Sequence, residues 1–289
     1  MIYLLLSIIS SSLIYTVFKL FGKFNINTLY AIVINYYTAF FAGYLLLERD
    51  FKVTDWLQQS FFLSALLLGV LFISVFKLMA ETTRISGLSA VSVASKMSLA
   101  IPVVFVIIYY QESLNLLKVI GIISALVAVY FSALKSNKVK NIRLKTLIFP
   151  LGVFFGSGII ETLIKFVEEH QVANSDVALF SMSIFFFAAI IGSIAGTIQY
   201  KRKAIPFKKK DLFGGIALGI PNYFSVYFFV LALRSFKDAS MVFIVNNVII
   251  VLLSTLIGII FFKEKLIRKN WWGILLAIIS LILITFTNQ

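Results

Sequence analysis

The sequence has no cysteine and a single histidine, His170. The first absence excludes a disulfide framework and any thiolate metal site, and the second excludes a multi-histidine metal site. Neither a metal nor a cofactor is expected. Charge is sparse and one-sided. Lys and Arg number 26 against 12 Asp and Glu, and charged residues fill 13% of the 289 positions, where a soluble domain carries about 25%. No H-E-x-x-H, G-x-S-x-G or P-loop pattern occurs. A membrane-embedded hydrolase would therefore lack its reactive groups, and an ATP-driven pump would need a separate subunit. The chain is not expected to be an enzyme.

What fills the chain is apolar. Hydrophobic residues make up 61%, Phe alone contributes 30, and the mean hydropathy is +1.01. These values predict an integral, multi-pass membrane protein, placed in the bacterial inner (plasma) membrane. The net charge of +14 does not indicate nucleic acid, because the positive residues lie mostly in short loops between apolar runs, where the positive-inside effect puts them. A span needs about 20 mostly apolar residues. Apolar runs between charge or turn clusters give ten: 2–21, 28–47, 57–80, 86–110, 116–134, 145–167, 176–199, 211–233, 239–262 and 270–287. The opening MIYLLLSIISSSLIYTVF is read as the first span, since it lacks the charged n-region and small-residue cleavage site of a signal peptide. The expected fold is all-α and polytopic. Its expected partners are the lipid bilayer and a small-molecule substrate, with protons as a coupling ion and a monomer or homodimer as the assembly.

The basic stretch ALKSNKVKNIRLK at 133–145 separates two similar halves. IYTVFK at 14–19 matches IETLIK at 160–165 at an offset of 146. YYQESLNLLKVIG at 109–121 matches 261–273 at an offset of 152, which aligns Glu112 with Glu264, Leu114 with Leu266 and Gly121 with Gly273. Ala80 and Ala232 close the third and eighth spans at the same offset. The predicted organisation is a first five-helix repeat at 1–134, a connector at 135–144 and a second repeat at 145–289. An odd number of spans per half turns the second repeat upside down, and in inverted-repeat transporters the substrate site lies near the midplane.

Ten spans in two halves, the Glu-x-Leu…Gly pattern after spans four and nine, and the Ala-terminated third and eighth spans resemble the drug/metabolite transporter superfamily, EamA-like branch. The resemblance covers essentially the whole chain. It implies a ten-helix bundle around a cavity lined by spans 1, 3, 4, 6, 8 and 9. It also implies transport of metabolites or drugs by alternating access, and it leaves the substrate open.

Ionisable groups inside spans usually face a cavity or each other. Lys96 sits near the middle of its span, with Ser89 and Ser92 on the same helical face and Pro102 six residues on. It is read as a substrate-binding cation, the alternative being a lysine that pairs with a carboxylate to hold the bundle. Glu161 is the one carboxylate well inside a span, and Ser157 and Lys165 share its face. Small four-helix exporters of the same superfamily use a glutamate of their first helix to exchange protons. The resemblance therefore implies a proton-coupling role for Glu161, against an ion pair with Lys96 or Lys165. Asn246, Asn247 and Asn222 are candidate substrate ligands or interhelical hydrogen-bonding groups. Tyr15 and Lys77 complete the candidates, and snorkelling is the alternative for Lys77, as for Lys19 and Lys165. Glu112 and Glu264 are read as capping or stabilising the helices that follow them through charge near the helix N-terminus.

The function expected is secondary transport of small polar, zwitterionic or anionic metabolites, amino-acid-like or related. The alternative is a multidrug or lipid-linked-sugar exporter of the same fold; intramembrane lysines disfavour cationic drugs. Orientation follows from loop charge. Loops after odd-numbered spans hold 17 Lys and Arg: Lys23, Arg84, five at 135–145, six at 201–210 and four at 263–269. The opposite side holds five: Arg49, Lys52, Lys118, Arg234 and Lys237. This bias predicts external termini, whereas the family resemblance implies cytoplasmic ones. A C-terminal reporter that is active only in the cytoplasm should stay dark, and a bright signal would refute the charge-based orientation.

Overall fold

The computed structural model describes residues 1–289 apart from 48–51, 87–93, 134–147, 204–205, 264–265 and 287–289. The connector expected at 135–144 therefore lies outside the described residues, as does Glu264. Regular structure among the described residues is helical, with no strand. The helices are α1 (Ile2–Phe24), α2 (Thr28–Leu45), the short α3 (Val53–Leu57), α4 (Phe62–Ser86), α5 (Ala100–Tyr109) and α6 (Leu116–Ala133). They continue with α7 (Ile148–Gln171), α8 (Val177–Lys203), α9 (Lys209–Ser235), α10 (Ala239–Phe262) and α11 (Arg268–Phe286). Six segments are long and apolar enough to cross a bilayer: Ile2–Phe24, Phe62–Met79, Ile148–Gln171, Asn174–Ile198, Lys209–Ser235 and Ala239–Phe262. Helices suit that solvent because they satisfy each backbone N–H and C=O within their own segment.

The chain divides into two compact units, one of Met1–Ile73 and Leu163–Ser235, the other of Ser74–Thr162 and Phe236–Gln289. Each unit draws on both halves of the sequence. In the first, α2 packs against α8 and α9, and α1 against α9. Gly215 and Gly219 of α9 make the α2 contact possible. A Cβ on Gly215 would fall 2.5 Å from Ile34 Cβ, and one on Gly219 would fall 2.7 Å from the Asn35 carbonyl oxygen. Small residues four apart let two helix backbones approach this closely. At that distance the buried Asn222 donates to Asn35 Oδ1 at 3.0 Å.

The turn between α1 and α2 is built locally. Asn25 adopts the left-handed conformation, and Ile26 N–H returns to Phe21 O at 3.0 Å while Ile26 packs against Phe21. This is a glycine-free version of the usual helix C-terminal turn. Asn27 then caps α2 by accepting from Leu29 and Tyr30 N–H. Arg234 closes the C-terminus of α7: it donates to Glu168 Oε1 at 2.8 Å, to Glu168 O at 3.0 Å and to Val172 O. Lys165, expected to snorkel or to pair with Glu161, donates to Glu168 and Glu169.

In the second unit α6 packs on α11, where Asn270 donates to Phe131 O and Ser280 to Gly121 O. Glycines again bring α7 close to its neighbours: a Cβ on Gly156 would meet Val75, and one on Gly158 would meet Ile101. Gln111 and Lys263, just past the ends of α5 and α10, both take left-handed backbones, with φ of 53° and 52°. They stand 152 positions apart, the offset of the sequence match.

Glu112 follows that turn, and it serves a second helix besides the one after it. The helix after it, α6, is capped by Asn115, which accepts Lys118 N–H at 2.8 Å. Glu112 serves α10, accepting Ser240 N–H at 3.2 Å and the Ser240 hydroxyl. It also takes the Lys118 ammonium at 3.0 Å, which in turn reaches Asp238 at 3.6 Å. From its place beside the left-handed Gln111, Glu112 thus reaches both across the unit to α10 and forward to α6.

Two outcomes follow for thermal unfolding in detergent. Gly219→Ala should destabilise by about 1–3 kcal/mol through overpacking, whereas Gly22→Ala, where nothing lies within 4 Å, should not. Glu112→Gln should lower stability by about 1–3 kcal/mol, because the buried Lys118 loses its nearest carboxylate and keeps only Asp238 at 3.6 Å and the Ser113 carbonyl, and adding Lys118→Met should recover part of it.

Candidate functional site

Lys96 sits at a break in its helix, and Pro102 causes the break. Residues 94–97 are helical, 98–99 form a turn, and α5 resumes at Ala100. Pro102 has no N–H to give the Ser98 carbonyl, and its ring crowds that oxygen. Ile101 N–H takes the carbonyl instead at 2.9 Å, a tighter i→i+3 turn, and the Ser98 hydroxyl closes on Ser95 O at 2.6 Å. The continuous span expected at 86–110 is thus interrupted two residues beyond Lys96. The kink expected from Pro102 falls one turn ahead of it, at the carbonyl it leaves without a partner.

Lys96 is 9% exposed. Its ammonium donates to Asn247 Oδ1 at 3.1 Å. Asn247, on α10, fixes its own amide by donating to Phe243 O at 3.0 Å, which aims Oδ1 at the lysine. Glu161 of α7 completes the group, interacting with the Lys96 charge and the Asn247 side chain. The Gly158–Ile101 contact, one turn before Glu161, holds α7 against α5 and so sets the carboxylate beside the lysine. Glu161 Oε2 is shut off from solvent and has no hydrogen-bond partner among the described residues. Asn246 is buried next to Asn247 on α10. One cation, one carboxylate and one amide thus converge from three helices of the second unit. Such a set can bind an anionic group at Lys96, and a proton or a donor group at Glu161.

Of the other sequence candidates, Asn222 and Tyr15 belong to the first unit. Asn222 is engaged by Asn35, the interhelical alternative, and Tyr15 is partly exposed on α1. Lys77 is exposed on α4, which suits a snorkelling lysine. Ser89 and Ser92 lie outside the described residues. Sequence reasoning passed over Gly158 and Ser98, which position the cluster; the Gly-Ser-Gly run at 156–158 was the available signal. Among the described residues no group of three or more His, Asp or Glu is placed to hold a metal ion.

No known family profile matches the sequence. A solved structure described only as the crystal structure of a protein shares the fold, with a TM-score of 0.81 over 99% of this chain and 96% of that one, at 12% identity. A protein of Haemophilus influenzae (strain ATCC 51907 / DSM 11121 / KW20 / Rd), described as uncharacterized, is 30% identical over 295 residues, which span 99% of this chain and 98% of the relative. Aligned along nearly its whole length at that identity, the chain belongs to the family of this Haemophilus influenzae protein.

Proposed function

We propose that the protein is a ten-span secondary transporter of the EamA-like drug/metabolite type, in which Lys96, Asn247 and Glu161 form the substrate site. The observation that carries this reading is the buried Lys96–Asn247 contact beside a carboxylate whose Oε2 has no hydrogen-bond partner among the described residues. A charged lysine at the centre of a membrane helix costs about 2.5–3.5 kcal/mol on insertion scales, and such residues mark substrate or proton pathways. A purely structural lysine would be expected to leave its carboxylate satisfied. The helix break beside Lys96 supports the same reading, since irregular backbone at membrane depth is tolerated where it lines a water-filled cavity. The paired left-handed turns at Gln111 and Lys263 favour an internal repeat, and with it the inverted architecture of transporters.

The substrate class follows from charge. Lys96 attracts a carboxylate or phosphate, and Glu161 accepts a proton or a substrate ammonium. A small zwitterion, amino-acid-like, satisfies both, and a small organic anion carried with a proton satisfies the same pair. Lipophilic cations do not suit Lys96.

A thermal-shift screen of purified protein against amino acids, organic acids, sugar phosphates and nucleosides should give a hit in the first two classes, since a ligand of the folded state raises its stability. Lys96→Met should leave folded protein and weaken that ligand by about 2 kcal/mol or more, roughly 30-fold. Lys96→Arg should change selectivity, because the two cations differ in shape and hydration. Normal affinity in a stable Lys96→Met protein would overturn the assignment. Glu161→Gln should abolish uptake driven by a pH gradient in proteoliposomes while sparing exchange, and unchanged gradient-driven uptake would remove the proton role.

A further inference from the structure

The end of α8, the loop after it and the start of α9 together carry six Lys and Arg at 201–210. Lys201, Lys208 and Lys209 are exposed. Lys210 donates to Phe24 O at 2.9 Å and so ties this loop to the turn after α1. Exposed Lys23 stands there with its ammonium 5.9 Å from the Phe24 ring centroid. The acid beside these lysines does not neutralise them. Asp211 is 1% exposed, and its two oxygens accept the backbone N–H groups of Asn27 at 2.8 Å and Lys208 at 3.0 Å. Asp211 thereby joins the loop to the turn while its carboxylate points inward, and the ammonium groups remain outside. Three exposed rings flank them: Phe24, Phe207 and Phe213. Phe207 is held edge-on against Tyr30 at 5.8 Å.

Lysines grouped beyond the ends of apolar helices, with aromatic rings beside them, match the two layers of a membrane surface. The charges lie at headgroup depth and the rings at the acyl boundary. We infer that the start of α9 with Phe207 and Lys208 before it, and the α1–α2 turn with Lys23, together form a docking surface for the phosphate headgroup of an anionic phospholipid. Charge complementarity selects the occupant: the surface concentrates positive charge and holds its one acid buried. Basic residues clustered at the end of a membrane helix attract anionic lipid with a contribution that corresponds to about a fivefold change in binding per Lys. The surface is independent of the transport reading, since it requires only that the helices sit in a bilayer.

The test uses the full chain purified in detergent, with phosphatidylglycerol or phosphatidylcholine added, and reads both thermal stability and lipid retained in native mass spectrometry. Phosphatidylglycerol should raise the melting temperature and be retained, phosphatidylcholine should do neither, and the effect should shrink as salt rises. Lys208→Gln with Lys209→Gln should weaken phosphatidylglycerol retention on the order of 25-fold, and Lys23→Gln alone by about fivefold. Lys52→Gln with Lys237→Gln removes as much charge from exposed positions elsewhere and should change nothing. Equal response to the two lipids would overturn the inference. So would equal loss in the control variant, or the same stabilisation by inorganic phosphate alone, which would mark a free-anion site.

Discussion

The contact between the Lys96 ammonium and the Asn247 amide oxygen, 3.1 Å long, is the interaction around which the second unit is arranged. A lysine this deep in apolar helices is costly unless polar groups or water receive it. Three helices meet to receive it. Pro102 breaks the helix that carries Lys96, α10 supplies Asn247 in an orientation fixed by Phe243 O, and α7 supplies Glu161. Each of these features weakens an otherwise regular apolar bundle. Their convergence on one ammonium group is what a binding site requires and what a lipid-facing core does not.

Two other knots of buried charge contrast with this cluster. Glu112 and Lys118 engage Ser240, Ser113 and Asp238, and Glu168 is held by Arg234 and Lys165. In both knots the carboxylates are met by several donors, and both sit at helix ends, where they cap and stop. Glu161 lies within a helix and keeps an oxygen without a donor among the described residues. The glycines set the distances that permit all of this. Gly158 against Ile101 positions the carboxylate, and Gly219 against the Asn35 backbone positions a neutral amide pair instead. The two units therefore use the same close-packing device for different ends, charge in one and neutral hydrogen bonding in the other.

The helical class, with segments apolar enough to cross a bilayer, was legible in the sequence, and so was the choice of Lys96, Asn247 and Glu161 as polar groups to account for, because apolar run length and the rarity of charge within such runs are one-dimensional signals. Pro102 was equally legible as a break, since its missing N–H acts on a residue four positions away. Partner choice was not. Asn222 and Asn247 read alike as polar residues in late spans, yet one meets Asn35 and the other Lys96, according to which glycine faces which backbone. Glu112 read as a cap for the helix after it. It meets Lys118 of that helix, but beside the left-handed Gln111 it also reaches α10, a long-range outcome that helix-terminus chemistry alone does not specify.

Water at the Lys96–Asn247 contact is the condition on which a transport role stands. The chain has no cysteine, so Asn247→Cys gives a single thiol at the site without further engineering. A charged, membrane-impermeant thiol reagent applied to reconstituted protein should label that cysteine from at least one side of the bilayer, and a bound substrate should slow the reaction. A folded Asn247→Cys protein that stays unlabelled from both sides would mean a dry, structural lysine and would contradict the assignment of this cluster as a substrate site.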